Sequence, residues 1–310
     1  MMQIEQPAPP LWHRIVDFPL IAMVLAVLLY VTATRLGHVV GKLVPPLGQP
    51  AAAAVHMLIM LGFVIPIYKL AISRLGEHPR DELSGTGALP EFGSGIIAGT
   101  LLFGIVAAIA AALGAYRITG RGDAADLLLP LISTAIMPAF TEELLFRGIL
   151  FRWLEEFGGS WGALIVTSTL FGLAHSQNPN ATWFSSLAIG CEAGLLLGGV
   201  YMLTRSLWAP IGLHAAWNFM QGPILGVPVS GNAVQGVFRA KLPGPAILSG
   251  GSFGLEASVI AVAICSAAGI ACVWVAAQRG ELVAPWWTRR SGESLPSGTV
   301  KETNRDPRRH

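Results

Sequence analysis

The sequence predicts an all-α, polytopic membrane protein of about eight transmembrane helices enclosing an intramembrane polar cavity. Three observations carry that expectation. Of 310 residues, 53% are hydrophobic and only 12% charged, where a soluble domain carries about a quarter charged residues. Mean hydropathy is +0.59, and the apolar residues gather in runs long enough to cross a bilayer. The few ionisable groups inside those runs fall at matching depths. A net charge of +2 gives no sign of a nucleic-acid partner.

A spanning helix needs about 20 mainly apolar residues. Eight segments qualify, at about 16–33, 51–72, 93–116, 126–151, 161–176, 183–204, 207–225 and 255–278. The first is too long for a signal peptide and no A-x-A site follows it, so it is read as a helix. The fifth is short and lies between polar turns. Residues 226–254 form a long Gly- and Pro-rich connection that reads as a lid, a re-entrant element or a plain linker. Residues 1–280 make a single membrane domain, and 281–310 turn polar and are expected to be a disordered cytoplasmic tail. Cys191, Cys265 and Cys272 lie in apolar segments without metal spacing and read as packing residues.

Orientation follows from Lys and Arg placement. With eight spans, one side holds Arg14, Lys69, Arg74, Arg80, Arg152, Arg205, Arg279 and six tail residues, 13 in all; the other holds 6. Both termini are therefore expected in the cytoplasm, with the bilayer of a bacterial cytoplasmic membrane as the setting.

Charge inside a bilayer costs a few kcal/mol or more and usually faces a cavity or a partner. Glu142, Glu143 and Arg147 interrupt the run MPAFTEELLFRGILF, His175 ends FGLAH, Glu192 lies in the sixth segment, and His214 and Asn218 stand in HAAWN. At a rise of about 1.5 Å per residue, Glu142 lies roughly 15 Å from Arg152, and His214 and Asn218 roughly 14 and 20 Å from Arg205. These groups can share one layer. Helical spacing then sorts them. Glu143 and Arg147 are i,i+4 and can pair, while Glu142 points about 100° away. His214 and Asn218 are also i,i+4, as are Phe171 and His175. Pro138 and Pro210 each stand four residues before a site residue, Glu142 and His214, where irregular backbone is tolerated beside a cavity.

A glutamate in a low-dielectric site is a useful general base near neutral pH. An imidazole can orient the same water, and a second histidine with an asparagine amide can donate to an oxyanion. Hydrolysis by an activated water is the chemistry these residues permit. Among bland readings, Glu143 and Arg147 fix helix packing, Glu192 bonds a neighbour across the close-packing glycines 190, 194 and 198, and His56 is a satisfied core residue. A zinc protease could draw on His175, His214 and Glu142 as ligands, but HExxH is absent and Asn218 is a poor zinc ligand. A non-catalytic transporter or scaffold could use the same groups as a proton relay.

Three motifs, Glu142-Glu143-x-x-x-Arg147, Phe171-x-x-x-His175 and His214-x-x-x-Asn218, together resemble those of the CAAX-protease and bacteriocin-processing (Abi) family of intramembrane glutamic endopeptidases. The resemblance covers about 126–222, and GGSFGLEAS near Glu256 is also similar to bacterial members. It implies an eight-span helical fold and metal-independent cleavage of a membrane-associated peptide or protein, with no cofactor. Glu142 and His175 would activate water, His214 and Asn218 would hold the oxyanion, and Glu143 and Arg147 would support the structure. The family's substrates range from prenylated proteins to pheromones and bacteriocin leaders, so the resemblance does not name one.

Overall fold

The computed structural model describes residues 10–45, 47–122 and 127–289. Among the described residues, the regular structure is helical apart from one two-stranded ribbon. After a short helix at Leu11–Val16 come α1 (Pro19–Gly41), α2 (Gln49–Leu70) and α3 (Ala88–Ala112). The long run α4 (Leu128–Gln177), α5 (Trp183–Thr204), α6 (Trp208–Phe219, continued by Met220–Ile224) and α7 (Val259–Gln278) follow.

Among the described residues, six helical runs are long and apolar enough to cross a membrane. The expected segments 126–151 and 161–176 both fall in α4, a run of 50 residues broken at Gly159, whose φ is 76°. The expected 207–225 segment is α6, a shorter helix outside those six. The fold class stands as an all-α polytopic bundle, while a count of eight goes beyond the six spans that length and composition establish.

Packing explains the glycines at the bundle centre. A Cβ on Gly95 or Gly99 of α3 would run into the α6 carbonyls of Ala209 or Leu213. The two helices therefore touch backbone to backbone, and any larger residue would push α6 away. Gly190, Gly194 and Gly198 of α5 face Ser168 and Leu164 of α4 in the same way, as their four-residue spacing predicts.

A buried ionic network closes one end of the bundle. Arg205 pairs with Glu155 at 2.6 Å and Arg80 with Glu156 at 2.9 Å. Arg152 is fully buried and donates to the carbonyls of Leu75, His78 and Arg80. Glu82 accepts from Tyr68 and Tyr201 at 3.1 and 2.6 Å. The first residues of the expected disordered tail join this network. Arg205 donates to Glu281 O, Val283 N to Ser160 Oγ, and Arg289 to Glu156 O. Residues 290–310 lie outside the described residues.

At the other end, β1 (Arg117–Arg121) pairs antiparallel with β2 (Phe238–Lys241), Arg117 opposite Lys241. The 226–254 connection is thus an ordered wall. Phe253 is buried against the cluster of Phe146, Phe171, Ile189 and Ala257, and Gly231 N donates to Phe253 O at 2.8 Å. His56, expected in the core, is exposed, with Nε2 2.9 Å from Gly41 O.

Candidate active site

Backbone irregularity builds the site. Wide π-type turns occur at Leu131–Ile136, Phe146–Phe151, Gly190–Gly194 and Met220–Ile224. Such turns shift side-chain phase and leave backbone groups open to other partners. Pro138 has no N–H for the carbonyl four residues back, Thr134 O. Asn218 Nδ2 takes up that oxygen at 3.1 Å, which locks the amide of α6 onto α4. The Gly190–Gly194 turn likewise presents Ala193 O and Gly194 O to Arg147 Nη2, at 3.1 and 3.2 Å.

Arg147 and Glu143 pair as their spacing predicts, at 2.8 Å, and both are almost completely buried. Phe171 covers the guanidinium, 4.8 Å from the ring centre. One contact was not legible from spacing. Glu143 Oε1 also meets His214 Nδ1 at 3.0 Å, so the carboxylate behind the arginine also holds the third motif's imidazole. Since a carboxylate only accepts, His214 carries a proton on Nδ1 and turns Nε2 outward.

His175 is fixed by the same logic. Its Nδ1 lies 2.8 Å from Phe171 O. A carbonyl has no proton to give, so Nδ1 donates and the neutral ring keeps its lone pair on Nε2. The Phe171 ring lies 4.8 Å from that imidazole and 6.3 Å from His214. The motif-two aromatic is the partition between the two histidines.

An open cleft is lined by His175, Glu192, His214 and Asn218, with Phe171, Leu213 and Trp217 among its apolar walls. Five of the residues singled out from sequence therefore converge. Glu142 is not among the lining side chains. It stands one residue from Glu143, and its Oε2 is buried without a hydrogen-bond partner. Its charge reaches His214 and Glu256. Glu192 is 2% exposed and lines the cleft together with Glu256.

Ser230 and Glu256 also line the cleft, which spacing did not place there. The signal for Glu256 was a lone charge in the Gly-rich apolar stretch GGSFGLEAS; Ser230 carried none. Glu256 lies outside the spanning helices, and burial pushes its carboxyl up to about 8. Among the described residues, no three His, Cys, Asp or Glu side chains gather as a metal-binding group.

Residues 124–220 match the family described as type II CAAX prenyl endopeptidase Rce1-like. That span contains all three motifs, and the resemblance read from them is borne out. The chain is also similar to a Bacillus subtilis protein provisionally named the membrane peptidase YdiL, at 27% identity over 90 residues. The similarity covers 29% of this chain and 34% of that protein, so the chain spans about a third of the relative's length. No solved structure matches.

Proposed function

We propose that this protein is an intramembrane endopeptidase that hydrolyses a peptide bond in a membrane-associated protein or peptide. Glu142 and His175 activate the water. The unpartnered Oε2 of Glu142 accepts its proton, and His175 Nε2, bare because Nδ1 is spent on Phe171 O, orients it. The observation that carries this reading is the convergence of His175, His214 and Asn218 on one cleft, beside a glutamate with a free oxygen, within the matched span.

His214 and Asn218 form the oxyanion site. Asn218 spends one amide proton on Thr134 O and keeps the second for substrate. His214 has Nδ1–H committed to Glu143, so Nε2 donates to an oxyanion only when the ring is doubly protonated. The Glu143 carboxylate supports that state electrostatically. Glu143 is thereby a positioning residue for the reaction as well as the partner of Arg147.

The protein works in a bacterial cytoplasmic membrane with both termini on the cytoplasmic side, as the Lys and Arg bias favours. A prenylated peptide is the first substrate to test, because the matched family is described as a prenyl endopeptidase; an unlipidated leader peptide is the second. The deciding comparison is the peptide content of membranes carrying wild type or Glu142→Gln. A peptide that shortens only with wild type names the substrate and the bond, and identical peptide profiles would overturn the activity.

A further inference from the structure

Ser230 lines the same cleft as His175, His214 and Asn218, yet the proposed chemistry leaves it idle. Its backbone is unusual. Ser230 has φ 47° and Gly231 φ 80°, in the left-handed region that is unfavourable for a residue with a Cβ. Val229 and Asn232 exchange both backbone hydrogen bonds across them, each at 2.9 Å. This is a two-residue turn of the kind that needs φ > 0 at both central positions, and its first position favours Asn, Asp or Gly. A serine held there points to a reason outside the turn.

The turn is pinned from several sides. Glu256, on the short turn Leu255–Ala257 that enters α7, accepts the Ser230 amide proton on Oε1. Gly231 N donates to Phe253 O at 2.8 Å. Gly231 O accepts from Asn180 Nδ2 at 3.1 Å, and Gly231 packs so closely on Pro179 O that no Cβ would fit. Pro179 and Asn180 belong to the loop that follows His175, which Asn178 N closes onto His175 O at 3.1 Å. Ser230 is thereby tied to the backbone of the second motif. Its own main chain is fully used: the N–H goes to Glu256, and the carbonyl accepts from Asn232 Nδ2 at 3.2 Å. Only its hydroxyl is left without a partner among the described residues. The residue is half-buried on the cleft wall, so that hydroxyl is available to an occupant.

A peptide that enters this cleft leaves water behind. Its amide groups beside the scissile bond then need protein partners, because an unpaired N–H or C=O is costly in apolar surroundings. Ile189, Leu196, Leu197 and Leu213 on the cleft walls supply none, and His175, His214 and Asn218 are engaged in the reaction. A hydroxyl can donate to a carbonyl or accept from an N–H. From this geometry we propose that Ser230 is a substrate-binding residue, whose hydroxyl hydrogen-bonds one main-chain amide group of the peptide next to the scissile bond. The inference rests on the peptidase reading above. What Ser230 recognises is the peptide main chain, so the contact does not depend on which side chains or which lipid the substrate carries.

Ser230→Gly is the informative variant, because glycine adopts φ 47° freely. In full-length protein in nanodiscs it should melt at or above wild type, so a loss of function is not a loss of fold. With an internally quenched farnesylated peptide it should lower kcat/KM by roughly 3–10-fold, as loss of one neutral hydrogen bond does, chiefly through KM. Single peptide bonds flanking the scissile one are then replaced by esters, which removes an N–H and weakens a carbonyl. One of these esters should raise KM for wild type and add nothing in Ser230→Gly, a coupling that a merely structural serine would not give. An unchanged KM in Ser230→Gly overturns the proposal, as do ester penalties equal in both proteins at every position. The same peptide, read by fluorescence anisotropy in the Glu142→Gln background, reports binding without turnover. Weaker binding on adding Ser230→Gly is expected, and equal affinity overturns the proposal. If instead Glu142→Gln alone cleaves at the wild-type rate, the peptidase reading itself has failed, a result that no Ser230 variant can produce.

Discussion

Removing the Glu143 carboxylate should separate structural from chemical roles at the centre of the bundle. Glu143→Ala leaves Arg147, 1% exposed, with the neutral carbonyls of Ala193 and Gly194 as hydrogen-bond acceptors, the Phe171 face and the charge of Glu142, which forms no hydrogen bond to it. Breaking a buried pair from one side costs about 3–5 kcal/mol. His214 Nδ1 also loses its acceptor, about 1–3 kcal/mol more. Together these approach the 5–15 kcal/mol that typically holds a folded domain, so Glu143→Ala should hardly accumulate as folded protein. Glu143→Gln keeps an acceptor oxygen for both neighbours and loses only the charge. It should fold, melt below wild type, and lose at least about 10²-fold in cleavage, because His214 loses the carboxylate behind its imidazole. The assay is a thermal melt in detergent beside cleavage by the same preparation. Both variants melting with wild type would refute the buried-pair argument. A destabilised Glu143→Gln with full cleavage would confine Glu143 to structure.

Asn218→Ala should lower the cleavage rate by roughly 10²–10³-fold, as loss of one oxyanion donor does, measured as kcat; an unchanged kcat removes Asn218 from the site. Gly95→Val should separate α3 from α6, because its Cβ meets Ala209 O and Leu213 N; the check is a melt falling well below that of Gly93→Val, which meets nothing. Glu256 is held above its ordinary 4.5 at about 8, so the folded state binds more protons than the unfolded state between those values. Stability should therefore fall as pH rises from about 4.5 to about 8 and then level. Glu256→Gln should flatten that part of the melting profile, and an identical slope in both proteins would contradict the upward shift of this carboxyl.

Much of the site was legible because membrane chemistry makes polar residues conspicuous. Glu142, Glu143, Arg147, His175, His214 and Asn218 stood out against apolar runs, and i,i+4 spacing gave the Glu143–Arg147 pair correctly. The spacing of Gly190, Gly194 and Gly198 gave the α5 packing face. Contacts between elements were hidden. Nothing local says that Glu143 also meets His214, since that depends on how α6 crosses α4. The meeting of Asn218 with Thr134 O needed both the missing N–H of Pro138 and that crossing. The wall at 226–254 was hidden for another reason. Its order comes from strand pairing with Arg117–Arg121 and burial of Phe253, neither of which leaves a periodic pattern. Of the ionic network, Arg80, Arg152 and Arg205 were read only as side-marking charge and Glu155 and Glu156 drew no reading, because burial there is created by the folded loops and not by the helices that carry it.

The central claim is that Glu142 activates the attacking water. The most direct measurement incubates purified wild type and Glu142→Gln, each with a confirmed wild-type-like melt, with the internally quenched farnesylated peptide in oxygen-18 water. Cleavage by wild type should place one heavy oxygen in the new carboxyl terminus, and Glu142→Gln should release no product above the rate without enzyme. Labelled product formed by the folded variant at a near wild-type rate would contradict the account.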